Sequence, residues 1–223
     1  MPLSLELYQN DFILIKNRDT RDTELQRLGA AIYQKRLEYI DEVIVTEEEI
    51  CLKLNHKFRP QDMNALLVIE AIPKSRSSEY ILPVYFNESE DWSFISKHTG
   101  LEKEEYIERF LQCEFELAMY GFLPGFLYLK GLDSDLQLPR KSTPDKHIPS
   151  QSLAVAGDYA GIYSFSSPGG WHIIGSVPCQ VHNIPRLPAA LLKIGDKITL
   201  KAIDKERYFN IQSQNLNILE YNG

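Results

Sequence analysis

The sequence predicts an α+β protein in two parts, a ferredoxin-like α/β domain followed by a β-rich domain of barrel or sandwich type. Three observations predict it. From Phe12 to Phe86 the strand and helix signals run β-α-β-β-α-β. Asp91 to Tyr120 has a mainly helical period, and from Gly121 onward glycines, prolines and short apolar pieces dominate. With 223 residues, 43% of them apolar, the chain has room for one large domain or two small ones. The expected division is 1–88 as the α/β domain, 89–118 as a helical connector and 119–223 as the barrel domain.

Phe12-Ile13-Leu14-Ile15 has the length of a strand. Leu25, Leu28 and Ile32, continued loosely by Tyr39, place one apolar face on a helix, and Thr23 with Gln26 has capping-box spacing at its start. Val43-Ile44-Val45 and the alternation Ile50, Leu52, Leu54 read as two strands; that period of two overrides the capping-box match of Thr46 with Glu49. A second helix is expected from Pro60 to Ile69, with proline in its first turn, and Ile81 to Phe86 as a strand. Pro83 suits an edge position or a bulge, where a missing N–H breaks no ladder.

Trp92, Phe94 and Ile95 precede Thr99-Gly100, and Ile107, Phe110 and Leu111 share a face of a Glu-rich segment. The strands expected further on are Leu153–Ala156, Gly161–Tyr163, His172–Ile174, Gln180–His182, Ile198–Leu200 and Tyr208–Ile211.

Twenty-four basic residues face 31 acidic ones, net −7, with no Lys/Arg block to follow a phosphate backbone, which argues against nucleic-acid binding. No apolar run is long enough to span a bilayer, and the segment Met1 to Glu6 lacks a signal-peptide pattern, so a cytoplasmic location is expected. Cys51, Cys113 and Cys179 are widely spaced and odd in number, which suggests reduced thiols rather than a disulfide framework or zinc site. The phosphate-loop, dinucleotide, nucleophile-elbow and H-E-x-x-H motifs are all absent, and the five histidines have no ligand spacing.

Unusual segments concentrate between Gly121 and Gly175. They are Gly121-Phe122-Leu123-Pro124-Gly125-Phe126-Leu127-Tyr128, then Leu138-Pro139-Arg140-Lys141-Ser142-Thr143-Pro144, then Ser166-Ser167-Pro168-Gly169-Gly170-Trp171-His172-Ile173-Ile174-Gly175. Arg140, Lys141, Ser142 and Thr143 combine a planar fork, an ammonium and two hydroxyls in one loop, the groups needed to hold a carboxylate or phosphoryl oxygen. Ser167-Pro168-Gly169-Gly170 suits a type II turn, read either as a hairpin connection or as a backbone nest for an anion beside Trp171 and His172. Tyr128 and Tyr163 carry hydroxyls able to face a cleft, and His172 reads either as a general acid–base or as a satisfied structural residue.

These three segments resemble the family of 5-oxoprolinase B-type subunits, also described as Kip-type kinase inhibitors and as allophanate hydrolase subunit 1 proteins, related to half of the carboxyltransferase domain of urea carboxylase. The resemblance is strong over 119–178 and extends in pattern over the first 85 residues. It implies a cyclophilin-like barrel for the second domain, and a protein that pairs with a homologous carboxyltransferase-like subunit of the C type. With an A-type protein, that pair opens 5-oxoproline to glutamate at the expense of ATP. The implied site has Arg140, Lys141 and His172 as catalytic groups, and Ser142, Thr143, Tyr128, Tyr163, Ser167, Gly169, Gly170 and Trp171 as substrate contacts, with ATP shared among the subunits. A regulatory protein restraining a sensor histidine kinase is the alternative, and a prolyl isomerase ranks behind both.

The chain departs from the family pattern at Asp145, where a basic residue is common, at Asp158-Tyr159-Ala160 in place of a Gly-Gln-Thr run, and at Ser176 in place of Arg. An inward-pointing Asp145 would weaken an anion site.

Overall fold

The computed structural model describes residues 3–17, 24–46, 48–73, 76–182 and 191–221. They form two compact units that divide after Arg76.

In the first unit, β1 (Leu3–Tyr8), β2 (Phe12–Asn17), β3 (Ile40–Val45) and β4 (Glu49–Leu54) make one sheet in the order β1-β2-β4-β3, antiparallel throughout. Leu3, Leu5 and Leu7 alternate along β1, a period-two signal that the expected element order left out. Helix α1 (Glu24–Lys35) buries Leu25, Leu28, Ala31 and Ile32; Leu25, Leu28 and Ile32 share a core with Ile13, Ile15, Ile50, Leu52 and Leu54. Thr23 lies outside the described residues. The expected Pro60–Ile69 helix is a 3-10 turn, Pro60–Asp62, leading into the short α2 (Met63–Leu67), of which Leu66 alone is buried.

The ferredoxin-like order does not form, because β5 (Glu79–Val84) joins the second unit. Its Leu82 and Val84 are fully buried, and the strand runs parallel to β13 (Lys197–Ala202), with Leu82 opposite Leu200. β5 ends the sheet order, which gives Pro83 the edge place its missing N–H requires.

Residues 89–118 are likewise no connector. Helices α3 (Asp91–Thr99) and α4 (Lys103–Leu111) bury Trp92, Ile95, Tyr106 and Phe110 in the main core of the second unit. Gly100, at φ 75°, closes α3, and the Tyr106 hydroxyl donates to the Leu136 carbonyl at 2.8 Å. Phe115–Tyr120 is strand β6, and the alternation of buried Phe115 and Leu117 was hidden behind the Glu-rich helix.

With β7 (Leu127–Lys130), β9 (Ser152–Ala156), β10 (Tyr159–Ile162) and β12 (His172–Ser176), the second sheet has seven strands in the order β12-β9-β10-β7-β6-β13-β5. Tyr85, just past β5, exchanges two backbone hydrogen bonds with Ser176 of β12, at 2.9 and 2.8 Å. The sheet thus curls until its two ends meet, as a barrel-like sheet does. A separate ribbon pairs β8 (Asp145–Ile148) with β11 (Ser167–Gly169).

Two C-terminal expectations change. Tyr208–Ile211 lies in helix α5 (Lys205–Ser213), started by Asp204, whose carboxylate accepts the Arg207 N–H at 2.8 Å. Among the described residues, Gln180 forms an isolated bridge with Asn217 in place of the expected strand. Cys51, Cys113 and Cys179 are free thiols, and no described helix is long and apolar enough to cross a membrane.

Candidate functional site

Three elements of the second unit converge on one cleft: the start of α3, the loop Pro139–Pro144 and strand β12. Two backbone-directed bonds hold the loop there. The Lys141 N–H donates to the Gly170 carbonyl at 2.8 Å, and His172 Nε2 lies 3.0 Å from the Pro139 carbonyl. A carbonyl oxygen only accepts, so Nε2 carries the proton and Nδ1 is left without a hydrogen bond. The His172 ring is buried and stacks on Phe94 with centroids 4.5 Å apart and planes 4° from parallel.

Asp91 is the centre of the cluster. Its Oδ2 accepts the Ile173 N–H of β12 at 2.7 Å, and its Oδ1 pairs with Lys141 Nζ at 2.6 Å and lies 3.6 Å from His172 Nδ1. Lys141 Nζ also meets Asp145 Oδ2 at 2.6 Å. The Lys141 and Asp91 side chains are only 15% and 13% exposed, so solvent screens this pair weakly. Asp145 therefore does point inward, onto the ammonium, where its charge competes with any anion for Lys141.

Burial by itself would raise the Asp91 carboxyl, but the Lys141 ammonium and the Ile173 N–H outweigh it and hold the group below the usual carboxylate range. Burial likewise opposes the Lys141 charge, and the hydrogen bonds to Asp145 and Asp91 overcome it, so this ammonium titrates above an ordinary lysine. A carboxyl with a depressed folded-state value adds stability above its unfolded value and loses it as pH falls through the folded one. The raised lysine adds stability below its unfolded value and loses it as pH rises. The pair should therefore stabilise the fold from about pH 4 to about pH 10. We expect the stability gap between wild type and Asp91→Asn, from urea midpoints, to be widest near neutrality and to close as pH falls below about 4. A gap independent of pH would remove the assignment.

The cleft has a volume of about 780 Å³ and is lined by Arg140, Lys141, Ser142, Thr143 and His172 of the expected residues, together with Asn87, Glu88, Glu90, Asp91 and Phe94. A second, smaller pocket of about 350 Å³ shares Arg140 and Lys141 with it and takes Tyr128, Tyr163, Gly169, Gly170 and Trp171. Ser167 lines neither, and its buried Oγ has no hydrogen-bond partner among the described residues.

The type II turn at Ser167–Gly170 does not form. Neither Gly169 nor Gly170 has positive φ, because Ser167 and Gly169 pair with Ile148 and Asp145 in the β8–β11 ribbon. Gly169 is needed for close approach instead: a Cβ there would overlap the Tyr163 hydroxyl. Burial pushes that hydroxyl up to about 12, against a backbone hydrogen bond from Trp171.

Asp91, Phe94 and the acidic residues before α3 were not legible as site residues. Asp91 stands 82 positions from Ile173, and only an acidic residue at a helix start could have drawn attention to it.

The family model for the carboxyltransferase domain, subdomain C and D, matches residues 7–192. A stretch of 118 residues is 36% identical to the protein of Bacillus subtilis (strain 168) named as the B subunit of 5-oxoprolinase, covering 53% of this chain and 49% of the relative. Another, of 128 residues, is 31% identical to the protein of the same name from Escherichia coli O157:H7, covering 56% and 58%. The chain thus spans about half the length of the curated relatives it matches. The crystal structure of the K. lactis urea amidolyase superposes with a TM-score of 0.73 at 14% identity, over 97% of this chain and 16% of that one, a likeness of fold.

Proposed function

Because the chain belongs to the family of carboxyltransferase domains, subdomains C and D, we propose that it is the B-type subunit of an ATP-dependent 5-oxoprolinase, or of a related cyclic-amide hydrolase. It works with a homologous carboxyltransferase-like C-type subunit and an A-type protein. The observation that carries this reading is the Lys141 ammonium held between Asp91 and Asp145 at the wall of an open cleft.

An ammonium has three N–H donors, and two carboxylates occupy two of them. The third is left for a substrate oxygen. When an amide carbon is attacked, its carbonyl oxygen gains negative charge, and a preoriented donor stabilises that charge without reorganising. Lys141 is the catalytic group in this reading. Asp91 and His172 are positioning residues: Asp91 orients the ammonium, and His172, tied to Pro139 and stacked on Phe94, fixes the loop that carries it.

The cleft does not fit a nucleotide triphosphate on its own. Glu88, Glu90, Asp91 and Asp145 outnumber Arg140 and Lys141 in its lining, and the Lys141 charge is already matched. The nucleotide is therefore assigned to the other subunits. Among the described residues no group of three or more His, Cys, Asp or Glu is placed to hold a metal ion.

Purified with the C-type and A-type proteins of its own genome, the chain should support ATP-dependent release of glutamate from 5-oxoproline. An assembled complex that releases none from this or other cyclic amides would overturn the reading.

A further inference from the structure

The smaller pocket has a different chemistry from the cleft beside it. Its walls are Phe122, Tyr128, Tyr163, Trp171, Pro144 and Pro168. The rings meet edge to face: Phe126 behind the wall stands 5.0 Å from Tyr163 and 5.5 Å from Trp171, and Tyr128 stands 5.4 Å from Trp171. Gly161 keeps this stack closed, since a Cβ there would come within 2.7 Å of Trp171 and 2.8 Å of Phe126. Phe122 is 60% exposed and sits at φ 62°, a left-handed conformation costly for an aromatic residue. Phe126 and Tyr163 meet that ring at 5.6 and 6.2 Å, and the rest of it borders the pocket.

Two cations border the pocket, and their states differ. Lys141 is matched by two carboxylates, whereas Arg140 makes no hydrogen bond or ion pair with the described residues. The guanidinium is close enough to Tyr128 and Tyr163 to offset part of the upward push of burial on both hydroxyls. The Tyr163 hydroxyl is packed against Gly169, while the Tyr128 hydroxyl has no hydrogen-bond partner among the described residues. The pocket thus offers flat apolar walls, one planar charged fork and one free hydroxyl. Its volume of about 350 Å³ is at the small end of ligand sites.

We propose that this pocket recognises a small, flat monocarboxylate, its ring against Tyr128 and Trp171 and its carboxylate on Arg140. The assignment deepens the proposed function and rests on it for the identity of the physiological ligand, since a cyclic amide acid is of this class. Arg140 is then the specificity residue of the site, and Lys141 borders both this pocket and the neighbouring cleft.

Calorimetry on the full chain with pyrrole-2-carboxylate, and with pyrrole-2-carboxamide as its uncharged counterpart, tests this directly. The acid should bind at least about 10-fold more tightly than the amide, and Arg140→Gln should erase that preference, since a charge-assisted fork contributes about 10–100-fold. Arg140→Lys should restore only part of it, and Phe122→Ala should weaken both probes alike. Equal affinities for acid and amide, an acid affinity unaffected by Arg140→Gln, or no binding of either probe at millimolar concentration would each overturn the pocket assignment. A turnover arm separates the two proposals. If the assembled complex releases no glutamate while Arg140-dependent binding holds, the reaction assigned above falls and the pocket stands. If glutamate is released and Arg140→Gln leaves the KM for 5-oxoproline unchanged, the pocket falls alone.

Discussion

Lys141→Met in the assembled complex is expected to lower kcat by about 100–1,000-fold, the cost of losing a preoriented donor to a developing oxyanion. Methionine keeps the length and apolar body of the side chain, so loss of packing volume is small. The change also leaves Asp91 and Asp145 facing the same space without the ammonium that bridges them at 2.6 Å to each. The two like charges then repel each other in a half-buried site, which should lower the stability of the variant. The measurement is steady-state glutamate release together with circular dichroism to confirm the fold. Adding Asp145→Asn should recover stability without recovering turnover, since it removes the repulsion but supplies no donor. A Lys141→Met complex with wild-type kcat would remove Lys141 from the chemistry.

The second large effect is steric. Gly169→Ala should destabilise the chain by about 1–3 kcal/mol, the usual cost of forcing an extra carbon into a filled space. The added Cβ would overlap the hydroxyl of buried Tyr163 and approach Ile148 Cδ1 to 2.8 Å. Tyr163→Phe removes the obstructing oxygen, so the double variant should be more stable than the sum of the two single changes implies. Recovery is partial, because Tyr163 Cζ would still lie 2.9 Å from the new carbon and the Ile148 contact remains. Urea midpoints for the four chains close the cycle. Additive losses would show that Gly169 and Tyr163 do not meet.

This pair also shows where pattern reading stopped. Ser167-Pro168-Gly169-Gly170 has the composition of a type II turn, and local preference alone favours that answer. The ribbon with Asp145 and Ile148 overrode it, and the glycine serves a neighbouring ring instead of a positive φ. Tyr208-Phe209-Asn210-Ile211 is a similar case. Aromatic and β-branched residues suggested a strand, but the Asp204 cap begins a helix through them. In β5 the local reading of a strand with an edge proline was sound. Its membership was not legible, because a strand's partner is set by burial of its far face and not by its own period.

The sequence by itself determined the family, through long glycine- and proline-bearing segments between Gly121 and Gly175, and with it the loop and aromatic residues of the two pockets but not the acidic residues before and at the start of α3. Periodicity also placed α1, β2, β3, β4 and most strands of the second sheet. Only the tertiary structure decided what those residues do to one another. It brought Asp91 to Lys141 and His172, turned Asp145 onto the same ammonium, and left Arg140, between cleft and pocket, unmatched among the described residues. The physical reason is range. A period or a cap is written within a few neighbouring residues, whereas the charge state of a lysine depends on carboxylates that the closing of a curled sheet delivers from 50 residues away, as Asp91 is from Lys141.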